Sequence, residues 1–503
     1  MIPVLTPAEM AGVDRQATTP VDVLVGRAGA AVARRAARLL GGTYGREVVV
    51  VAGKGNNGAD GRVAAKLLAA DGARVTVLEA AALAPGAPLP EADLVVDAAY
   101  GTGLERPYSP PDPGRATVLA VDIPSGLSGL TGEVLSGGGA MAAAATVTFA
   151  SLKPGLLLGA GPTLAGDVDL ADIGLGQLVD ATATCWVVED RDVVDMVPRR
   201  PHDSHKWLTA VQVVAGSPGM TGAPWFVSRA ALRAGSGYVR LSMPGVEPTV
   251  LPPSEVVHLP VPAAGWSSQV LEGLSRVKAL VVGPGLGPAA ASGGDPGLPG
   301  GEVGALVANA PVPVVIDADG LNAIGSLDAL QVIVSRRSLP TVITPHAGEL
   351  TRLAGHPPGA DHVAAARDAA ALSGAIVLLK GSTTVVASPS SGEGAGAGGS
   401  VVAGGPGSGA GTRAGAGGRG PDPAAARVLL STAGDSRLAT AGTGDILSGV
   451  IGAFIARGVP AFEAAALGAH VHGRAARTGL AEGLVAGDLP DLVASWLSDS
   501  LHK

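Results

Sequence analysis

Residues 440–449 read TAGTGDILSG, a stretch that predicts a tight turn leading into a helix. Gly442 and Gly444 flank Thr443, Asp445 follows, and an apolar helical pattern begins at Ile446. The first N–H groups of a helix have no partner within it, so a helix N-terminus can bind an anion. A carboxylate is useful beside a bound phosphate if it accepts a proton from the attacking group. Asp445 is therefore a candidate general base next to a nucleotide, although an ordinary glycine-rich N-cap explains these ten residues equally well.

Short apolar segments followed by glycine-rich or polar loops recur through the rest of the second half. They are 211–215 before GSPGMTGAP, 279–282 before GPGLG, 314–317 before ADGLN, 342–344 before PHAGEL, and 376–379 before KGSTTVV. Such segments are typical of buried parallel strands. Because ligands bind at the carboxyl ends of parallel strands, one edge of the predicted sheet should carry the site.

Two cationic or titratable side chains stand at this predicted edge. His346 precedes the helix-like AGELTRLAG, where its imidazole could hydrogen-bond a substrate amide or hydroxyl, or could serve only as a structural residue of the helix start. Lys380 ends a strand before Gly381 and could contact phosphate oxygens as a point charge. An edge lysine that extends to solvent is the alternative.

The first half opens with the same arrangement. The predicted strand 47–52, EVVVVA, leads into the loop 53–61, GKGNNGADG, and then a helix over 62–70. The loop matches neither a Walker A motif nor a GxGxxG fingerprint. Its two adjacent asparagines offer neutral amides suited to a ribose, an amide or a weakly held monovalent cation, although an Asn-Asn-Gly turn also explains them.

Oxygen-bearing side chains follow two further predicted strands. Asp97 ends the segment 94–98, and Asp122 with Ser125 follows the segment 118–121. Together with Asn57 they should converge on one edge of a sheet. Carboxylate, amide and hydroxyl oxygens suit a hard cation.

Composition restricts the classes of protein. A chain of 503 residues should form two or three domains, and 47% hydrophobic with 16% charged residues supplies ample core. The net charge of −8, without a basic stripe, argues against nucleic acid or a membrane surface as partner. A single cysteine, no signal-peptide pattern and no apolar run of membrane-spanning length lead us to expect a cytoplasmic protein.

Two segments are predicted to lie outside the domains. Residues 191–201, RDVVDMVPRRP, combine charge and proline without sustained periodicity and predict a linker. Residues 388–426 include 14 glycines within 391–420 and predict a disordered loop that extends a hairpin, with a functional lid as the alternative.

The motifs GKGNNGADG, VDAAYGTGL, VDIPSGL and TFASLKPG occur in this order and resemble the N-terminal domain of NAD(P)H-hydrate epimerases, a Rossmann-like family, over about residues 6–176. The resemblance implies a potassium site at Asn57, Asp97 and Ser125. Epimerisation at a hemiaminal carbon needs a proton donor and acceptor, for which Asp122 is the first candidate and Lys153 the second. The resemblance also implies contacts with hydrated dinucleotide at Asn56, Asn57, Gly58, Ala59, Asp60, Gly101, Thr102, Gly103, Leu104, Glu105, Arg106, Pro107 and Asp122.

The motifs GSPGMTGA, VGPGLG, DADGLN, TPHAGEL, LKGSTTVV and AGTGDILSG together resemble the NAD(P)H-hydrate dehydratases, of ribokinase-like fold, over about residues 202–487. The resemblance implies Mg²⁺ and ADP, rather than ATP, as cofactors, with Asp445 accepting a proton during phosphoryl transfer. Implied dinucleotide contacts are Ala223, Gly285, Gly287, His346 and Asp445. Implied nucleotide contacts are Lys380, Gly381, Ser382, Thr383, Thr384 and Gly444.

The expected architecture is α/β throughout. A Rossmann-like three-layer epimerase domain over 1–190 should join, through the linker, a ribokinase-like α/β dehydratase domain over 202–503, in a homo-oligomer. The expected activity is repair of hydrated NADH and NADPH: epimerisation of their R and S forms, then nucleotide-dependent dehydration of the S form. The alternative is a ribokinase-like kinase for a small alcohol, fused to a module that binds a nucleotide metabolite.

Overall fold

The chain forms two compact units in a computed structural model, which describes residues 1–247, 254–389 and 426–502. The first unit comprises Met1–Val187 and Gly359–His362, and the second comprises Val188–Pro358 and Val363–Lys503. Most of the expected linker is helical, because residues Asp190–Met196 form an α-helix of the second unit. Glu189 and Asp192 exchange hydrogen bonds in a capping box, and Val193 is buried. The charges that suggested a linker therefore cap a helix.

A six-stranded parallel sheet organises the first unit. Its strands lie in the order β3-β2-β4-β5-β6-β7. Strands β1 and β8 pair antiparallel outside this six-stranded sheet. The strands are β1 Ile2–Val4, β2 Glu47–Ala52, β3 Arg74–Glu79, β4 Leu94–Ala98, β5 Thr117–Val121, β6 Ala145–Phe149, β7 Asp167–Ala171 and β8 Cys185–Val187.

Alternate residues of β2 face opposite sides of this sheet. Val48 and Val50 belong to one buried cluster, whereas Val49 and Val51 belong to another. A strand that is apolar on both faces must be covered on both. Helices cover the first face, and connecting segments that carry Tyr108 and Met141 contribute to the second. The helices of this unit are α1 Pro7–Gln16, α2 Val21–Leu40, α3 Asn56–Ala70, α4 Pro154–Leu157, α5 Gly161–Leu164 and α6 Gly176–Thr182.

Helix α3 begins six residues earlier than the sequence predicted, at Asn56 instead of 62. Two glycines that resembled a loop allow the helix to pack closely. An added Cβ at Gly58 would lie 1.9 Å from the Gly53 carbonyl oxygen, and one at Gly61 would lie 2.5 Å from Ala98 Cβ. Asn57 and Asp60 are therefore fixed on a helix rather than on a mobile turn.

Nine strands lie side by side in the second unit, in the order β17-β16-β15-β14-β13-β12-β9-β10-β11. Neighbours are parallel from β11 to β15, and the last two pairings are antiparallel. The strands are β9 Ala210–Val214, β10 Tyr238–Ser242, β11 Val257–His258, β12 Ala279–Val282, β13 Val314–Ile316, β14 Thr341–Ile343, β15 Ile376–Leu379, β16 Thr384–Ala387 and β17 Val428–Ser431. The largely parallel sheet predicted for this half is confirmed.

Strands β16 and β17 form the predicted hairpin, with Ala387 opposite Val428. Ser388 and Arg427 continue the pairing, because each donates its backbone N–H to the other residue. Most of the predicted disordered loop, residues 390–425, lies outside the described residues.

Helix α15 (Thr443–Ala456) lies at the centre of the second unit. Its residues from Ile446 to Ala456 are buried, and it packs on α8 and α16. No helix in the described ranges is long and apolar enough to cross a bilayer. The remaining helices are α7 Asp190–Met196, α8 Gly222–Arg233, α9 Trp266–Glu272, α10 Gly301–Asn309, α11 Asp319–Ile324, α12 Leu327–Val334, α13 Ala347–Ala354, α14 His362–Ser373, α16 Ala461–Thr478 and α17 Leu489–Leu501.

Candidate functional site

A cavity of about 500 Å³ lies at the carboxyl ends of the strands of the first unit. Ligands bind at this end of open α/β sheets. The cavity brings together nine of the predicted residues: Asn56, Asn57, Asp60, Gly101, Thr102, Gly103, Leu104, Asp122 and Lys153.

Asp122 and Lys153 form an ion pair in this cavity. Lys153 Nζ lies 2.7 Å from Asp122 Oδ1 and donates to Thr148 Oγ1 and the Phe149 carbonyl. The ammonium is almost fully buried, so its charge is compensated locally. Asp122 has a φ of 66°, an unusual conformation for a residue other than glycine, which costs about 1–3 kcal/mol. The strand end thus holds this carboxylate in one fixed, strained orientation.

Asp60 brings a second carboxyl group to the cavity from α3. Burial, with a contribution from the charge on Asp122, raises the pKa of Asp60 to about 8. The pKa of Asp14, in α1, is also raised, mainly by burial. Burial thus favours the protonated form of the two carboxyl groups that share the cavity with the Asp122–Lys153 ion pair.

Of the three predicted potassium ligands, Asn57 lines the cavity, whereas Asp97 and Ser125 lie deeper. Asp97 and Ser125 are fully buried, and Asp97 Oδ2 accepts the Ser125 N–H at 2.9 Å. Ser125 Oγ accepts the Tyr100 N–H at 2.9 Å and lies 2.6 Å from Asp97 Oδ1. Both amide atoms of Asn57 are buried without a hydrogen-bond partner in the described structure. An added Cβ at Gly101 would lie within 3.8 Å of Asn57, which places this amide beside the Tyr100–Gly101 backbone.

Five predicted dinucleotide contacts do not line the cavity. Gly58 and Ala59 are within α3, and Ala59 has no positive φ, so alanine fits where the related family usually has glycine. Arg106 instead donates to the Tyr100 hydroxyl at 3.1 Å. Glu105 and Pro107 flank it in the same loop. Contact between these five residues and the substrate stays a prediction.

Asp445 stands in the first turn of α15, three residues after the Gly442 N-cap, which has a φ of 90°. Burial and the charge on Asp317 raise the pKa of Asp445 to about 7, although Lys380 opposes the shift. A carboxylate with this pKa can accept a proton at neutral pH. An added Cβ at Gly444 would lie 3.5 Å from Lys380 Nζ, so the glycine keeps open the space between the helix N-terminus and this ammonium.

Lys380 is held by two carboxylates. Its Nζ lies 2.9 Å from Asp317 Oδ1 and 3.8 Å from Glu349 Oε2. Burial disfavours the ammonium, but Asp317 and Glu349 outweigh it and raise the pKa of Lys380. Burial likewise acts against the charge of Asp317, yet Lys380 and the Ser448 hydroxyl hold its pKa below the ordinary value. Lys380 is therefore no solvent-extended edge residue.

His346 is the N-cap of α13, and its role as a substrate contact stays a prediction. Its Nδ1 accepts the N–H groups of Gly348 at 3.0 Å and Glu349 at 3.2 Å. An accepting Nδ1 places the proton of the neutral ring on Nε2. The exposed Nε2–H is then available to donate a hydrogen bond to a substrate oxygen. The Nε2 atom lies 3.6 Å from Glu349 Oε2.

The remaining predicted dinucleotide contacts cluster at the ends of β9 and β12. An added Cβ at Gly285 would lie 3.2 Å from Ala223 Cβ, and Gly287 donates its N–H to Asp319 Oδ2 at 3.0 Å. Gly283, Gly285 and Gly287 all have positive φ, which explains the glycines of GPGLG. Burial, the charge on Asp317 and, to a smaller extent, the charge on Asp319 raise the pKa of Asp445, which indicates that Asp319 and its partner Gly287 lie near the α15 N-terminus.

Residues 380–384 form the turn between β15 and β16. Gly381 and Ser382 are exposed, whereas Thr383 is buried and Thr384 begins β16. The Lys380 N–H donates to the Pro345 carbonyl at 2.9 Å, which ties this turn to the segment before His346. The turn therefore stands beside the site at the sheet edge, as a nucleotide contact requires.

Sequence reasoning missed three acidic residues of this site: Asp317, Asp319 and Glu349. Asp317 ends a predicted strand, as Asp97 does, and that shared position was the available signal. Glu349 is at the third helical position after His346, which is the signature of a capping box. No group of three or more His, Cys, Asp or Glu side chains arranged to hold a metal occurs within the described ranges.

Family models match both halves of the chain. A model described as NAD(P)H-hydrate dehydratase matches residues 211–417 and 422–498. A second, described as YjeF-related protein N-terminus, matches residues 21–91 and 80–155. Each match covers the motifs that carried the corresponding resemblance.

Curated relatives extend the similarity to nearly the whole chain. The bifunctional NAD(P)H-hydrate repair enzyme Nnr of Salinibacter ruber is 33% identical over 98% of this chain and 95% of its own length. The protein of that name from Mycobacterium tuberculosis is 36% identical over 90% of this chain and 88% of its own. The ADP-dependent (S)-NAD(P)H-hydrate dehydratase of Neisseria meningitidis is 34% identical over 60% of this chain and 90% of its own. A solved ADP/ATP-dependent NAD(P)H-hydrate dehydratase from Bacillus subtilis is 22% identical over 62% of this chain and 97% of its own, with a TM-score of 0.45. With both units matched in order and at this identity, the chain belongs to the family of bifunctional NAD(P)H-hydrate repair enzymes.

Proposed function

We propose that the first unit interconverts the R and S hydrates of NADH and NADPH, and that the second uses ADP to return the S hydrate to the intact cofactor. The observation that carries the proposal is the pairing of two separate acid–base sites, Asp122 with Lys153 and Asp445 beside Lys380, each at the carboxyl edge of a parallel sheet. Family membership and the relatives' names support the same reading.

In the first unit the hydroxyl at the hemiaminal carbon leaves as water, with the electron pair of its carbon–oxygen bond and a proton from Lys153. The ring nitrogen lone pair stabilises the cationic ring that remains. Water then adds to the opposite face and gives its proton to Asp122. Because Lys153 Nζ and Asp122 Oδ1 are 2.7 Å apart, a direct proton transfer restores both groups.

A potassium ion is proposed for the site formed by Asn57, Asp97 and Ser125. The donor set fits, because the buried Asn57 amide oxygen lacks a partner and amide, carboxylate and hydroxyl oxygens suit a hard cation. Burial raises the pKa of Asp97 despite the hydrogen bonds from Ser125 and Ala99, and a bound cation would favour its ionised form. When bound, potassium would supply a fixed positive charge beside the backbone of Tyr100 and Gly101.

In the second unit Asp445 takes the proton of the substrate hydroxyl as its oxygen attacks the terminal phosphoryl group of ADP. AMP departs, and the substrate hydroxyl is now a phosphate ester. Phosphate is a better leaving group than hydroxide. Phosphate then leaves with its bonding electrons and takes a proton from the neighbouring ring carbon, and the electron pair of that carbon–hydrogen bond forms the double bond of NAD(P)H again. Lys380 and the α15 N-terminus bind the transferred charge. Mg²⁺ is expected to arrive with the nucleotide, held mainly by phosphate oxygens and water.

The test uses the full chain with a mixture of R and S NADPH hydrates, Mg²⁺, K⁺ and ADP, and follows the absorbance of reduced nicotinamide. We expect the protein to recover both epimers, Asp122→Ala to recover only the S form, and Asp445→Ala to recover neither. Substitution of ATP for ADP should slow recovery. A protein that recovers nothing with either nucleotide, but phosphorylates a small alcohol, would establish the kinase alternative instead.

A further inference from the structure

Asp317 is a buried carboxylate to which the proposed chemistry gives no task. It follows β13, its side chain is 1% exposed, and it accepts hydrogen bonds from Lys380 Nζ at 2.9 Å and Ser448 Oγ at 2.6 Å. Burying a charge costs several kcal/mol unless partners compensate it. Here the partners are themselves parts of the site, so the carboxylate fixes their positions.

Lys380 is the cation whose charge acts on Asp445. Other charged groups reach Asp445 from neighbouring elements: Asp317 after β13 and Asp319 at the start of α11. On α16, His472 is buried and neutral, because burial and the charge on Lys380 lower its pKa to about 4. On α13, Glu349 acts through Lys380, 3.8 Å from its Nζ.

A carboxylate that paired with Lys380 would hold its proton weakly and would be a poor base towards an alcohol. Asp317 and Glu349 already neutralise this ammonium from one side. Asp445 is consequently left without an ion-pair partner among the described residues, although it lies next to the same lysine.

We propose that Asp317 is a positioning residue that holds Lys380 away from Asp445 and thereby keeps Asp445 available as the base. The inference rests on the role proposed for Asp445. Ser448 completes the arrangement, because it lies on α15 one turn after Asp445 and hydrogen-bonds Asp317 Oδ2. The Asp317 carboxylate therefore links both Lys380, which follows β15, and helix α15 to the end of β13.

The decisive variant is Asp317→Asn, which keeps the shape and removes the charge. The measurement is kcat/KM for the S hydrate against pH, at saturating ADP and Mg²⁺. We expect the acidic limb to move from near pH 7 to lower pH by about one unit or more, because Asp445 loses a negative neighbour and gains access to Lys380. Dehydration on the alkaline plateau should fall about tenfold as the base weakens. Asp317→Glu should return the limb towards its original position.

Two further variants separate this role from a merely structural one. Ser448→Ala removes a neutral hydrogen bond to the same carboxylate, so it should slow dehydration without moving the limb. Lys380→Gln should move the limb in the opposite direction, to higher pH, because the cation that opposes the pKa shift is gone. The Asp445 carboxyl can be titrated directly in nucleotide-free protein by carbon NMR with labelled aspartate, using Asp445→Asn for assignment.

An unmoved limb in Asp317→Asn, with Asp445→Asn inactive, would overturn the positioning role and leave the proposed base intact. Full dehydration by Asp445→Asn would remove the base itself and the positioning role with it. The opposite shifts of Asp317→Asn and Lys380→Gln would establish the role even if both variants lose stability, since limb position does not depend on the amount of folded protein.

Discussion

Two aspartates at the ends of strands or starts of helices acquire different acid–base properties from their neighbours. Asp122 contacts the buried ammonium of Lys153, whereas Asp445 has two carboxylates, Asp317 and Asp319, among its charged neighbours. An opposite charge favours an ionised carboxylate and a like charge disfavours it. The same residue type therefore pairs with a lysine in one unit, whereas in the other burial and the charge on Asp317 raise its pKa to about 7, as the proposed base role of Asp445 requires.

Asp60 yields a prediction about stability. Its pKa is raised to about 8 in the folded protein, whereas in the unfolded chain it is near 4. The protonated carboxyl group therefore contributes fully to the free energy of unfolding below about pH 4, and this contribution is lost as the pH rises through about 8. Asp60→Asn should leave the free energy of unfolding of the first unit unchanged at pH 4. At pH 9 it should increase that free energy by roughly 2–4 kcal/mol, because the variant need not bury a charge.

Urea denaturation of the first unit's transition at the two pH values checks this. The second unit's transition, measured on the same sample, is the internal control and should not respond to the substitution. Equal unfolding free energies for wild type and variant at pH 9 would contradict the assigned protonation state. The rate of epimerisation by the variant should fall, so that the substitution increases stability and decreases activity.

At the scale of single elements, two of the three glycines of α15 have different surroundings. Gly449 packs against α8, where an added Cβ would lie 2.3 Å from the Val227 carbonyl oxygen. At Gly444 the nearest atom to an added Cβ is Lys380 Nζ, at 3.5 Å. One glycine therefore allows helix packing and the other leaves room for a ligand.

Gly444→Ala and Gly449→Ala form a matched pair on one helix. Gly444→Ala should fold normally, since alanine favours the helix by about 1 kcal/mol, but should weaken ADP binding by tenfold or more. Gly449→Ala should lower the midpoint of thermal unfolding by several degrees, because backbone must shift. Calorimetric titration with ADP and thermal unfolding of both variants distinguish these outcomes; loss of stability in Gly444→Ala would show that its role is packing.

The success of sequence reasoning varied with the physical signal. The strand bounds of β12 and β15 were predicted correctly because apolar runs between glycines leave few alternatives. The start of α3 was missed, since glycines required for close helix–sheet packing resemble those of a loop. Asp317 and Glu349 were missed because their importance depends on Lys380, which is more than thirty residues away and meets them only in the folded sheet.

For the whole molecule, each unit contains its own acid–base groups, and this gives a complementation prediction. Asp122→Asn should retain dehydration of the S hydrate, and Asp445→Asn should retain epimerisation. A mixture of the two variants should recover both hydrates completely, because the S hydrate made by one molecule can diffuse to the other. Reduced-nicotinamide absorbance in the mixture, compared with wild type at equal active-site concentration, provides the check. Recovery that stops at the S fraction would show that the hydrate passes directly between units of one chain.

The β16–β17 hairpin has a practical consequence for engineering. Strand β16 begins at the turn of residues 380–384, which carries the proposed nucleotide contacts, and its pairing with β17 ends at Ser388 and Arg427. Four paired residues separate the two ends, about 13 Å at the usual rise per residue. The end of the hairpin at Ser388 and Arg427 is therefore a natural attachment point for a fluorophore, an affinity tag or an inserted reporter domain, because it lies at the opposite end of β16 from the proposed nucleotide contacts.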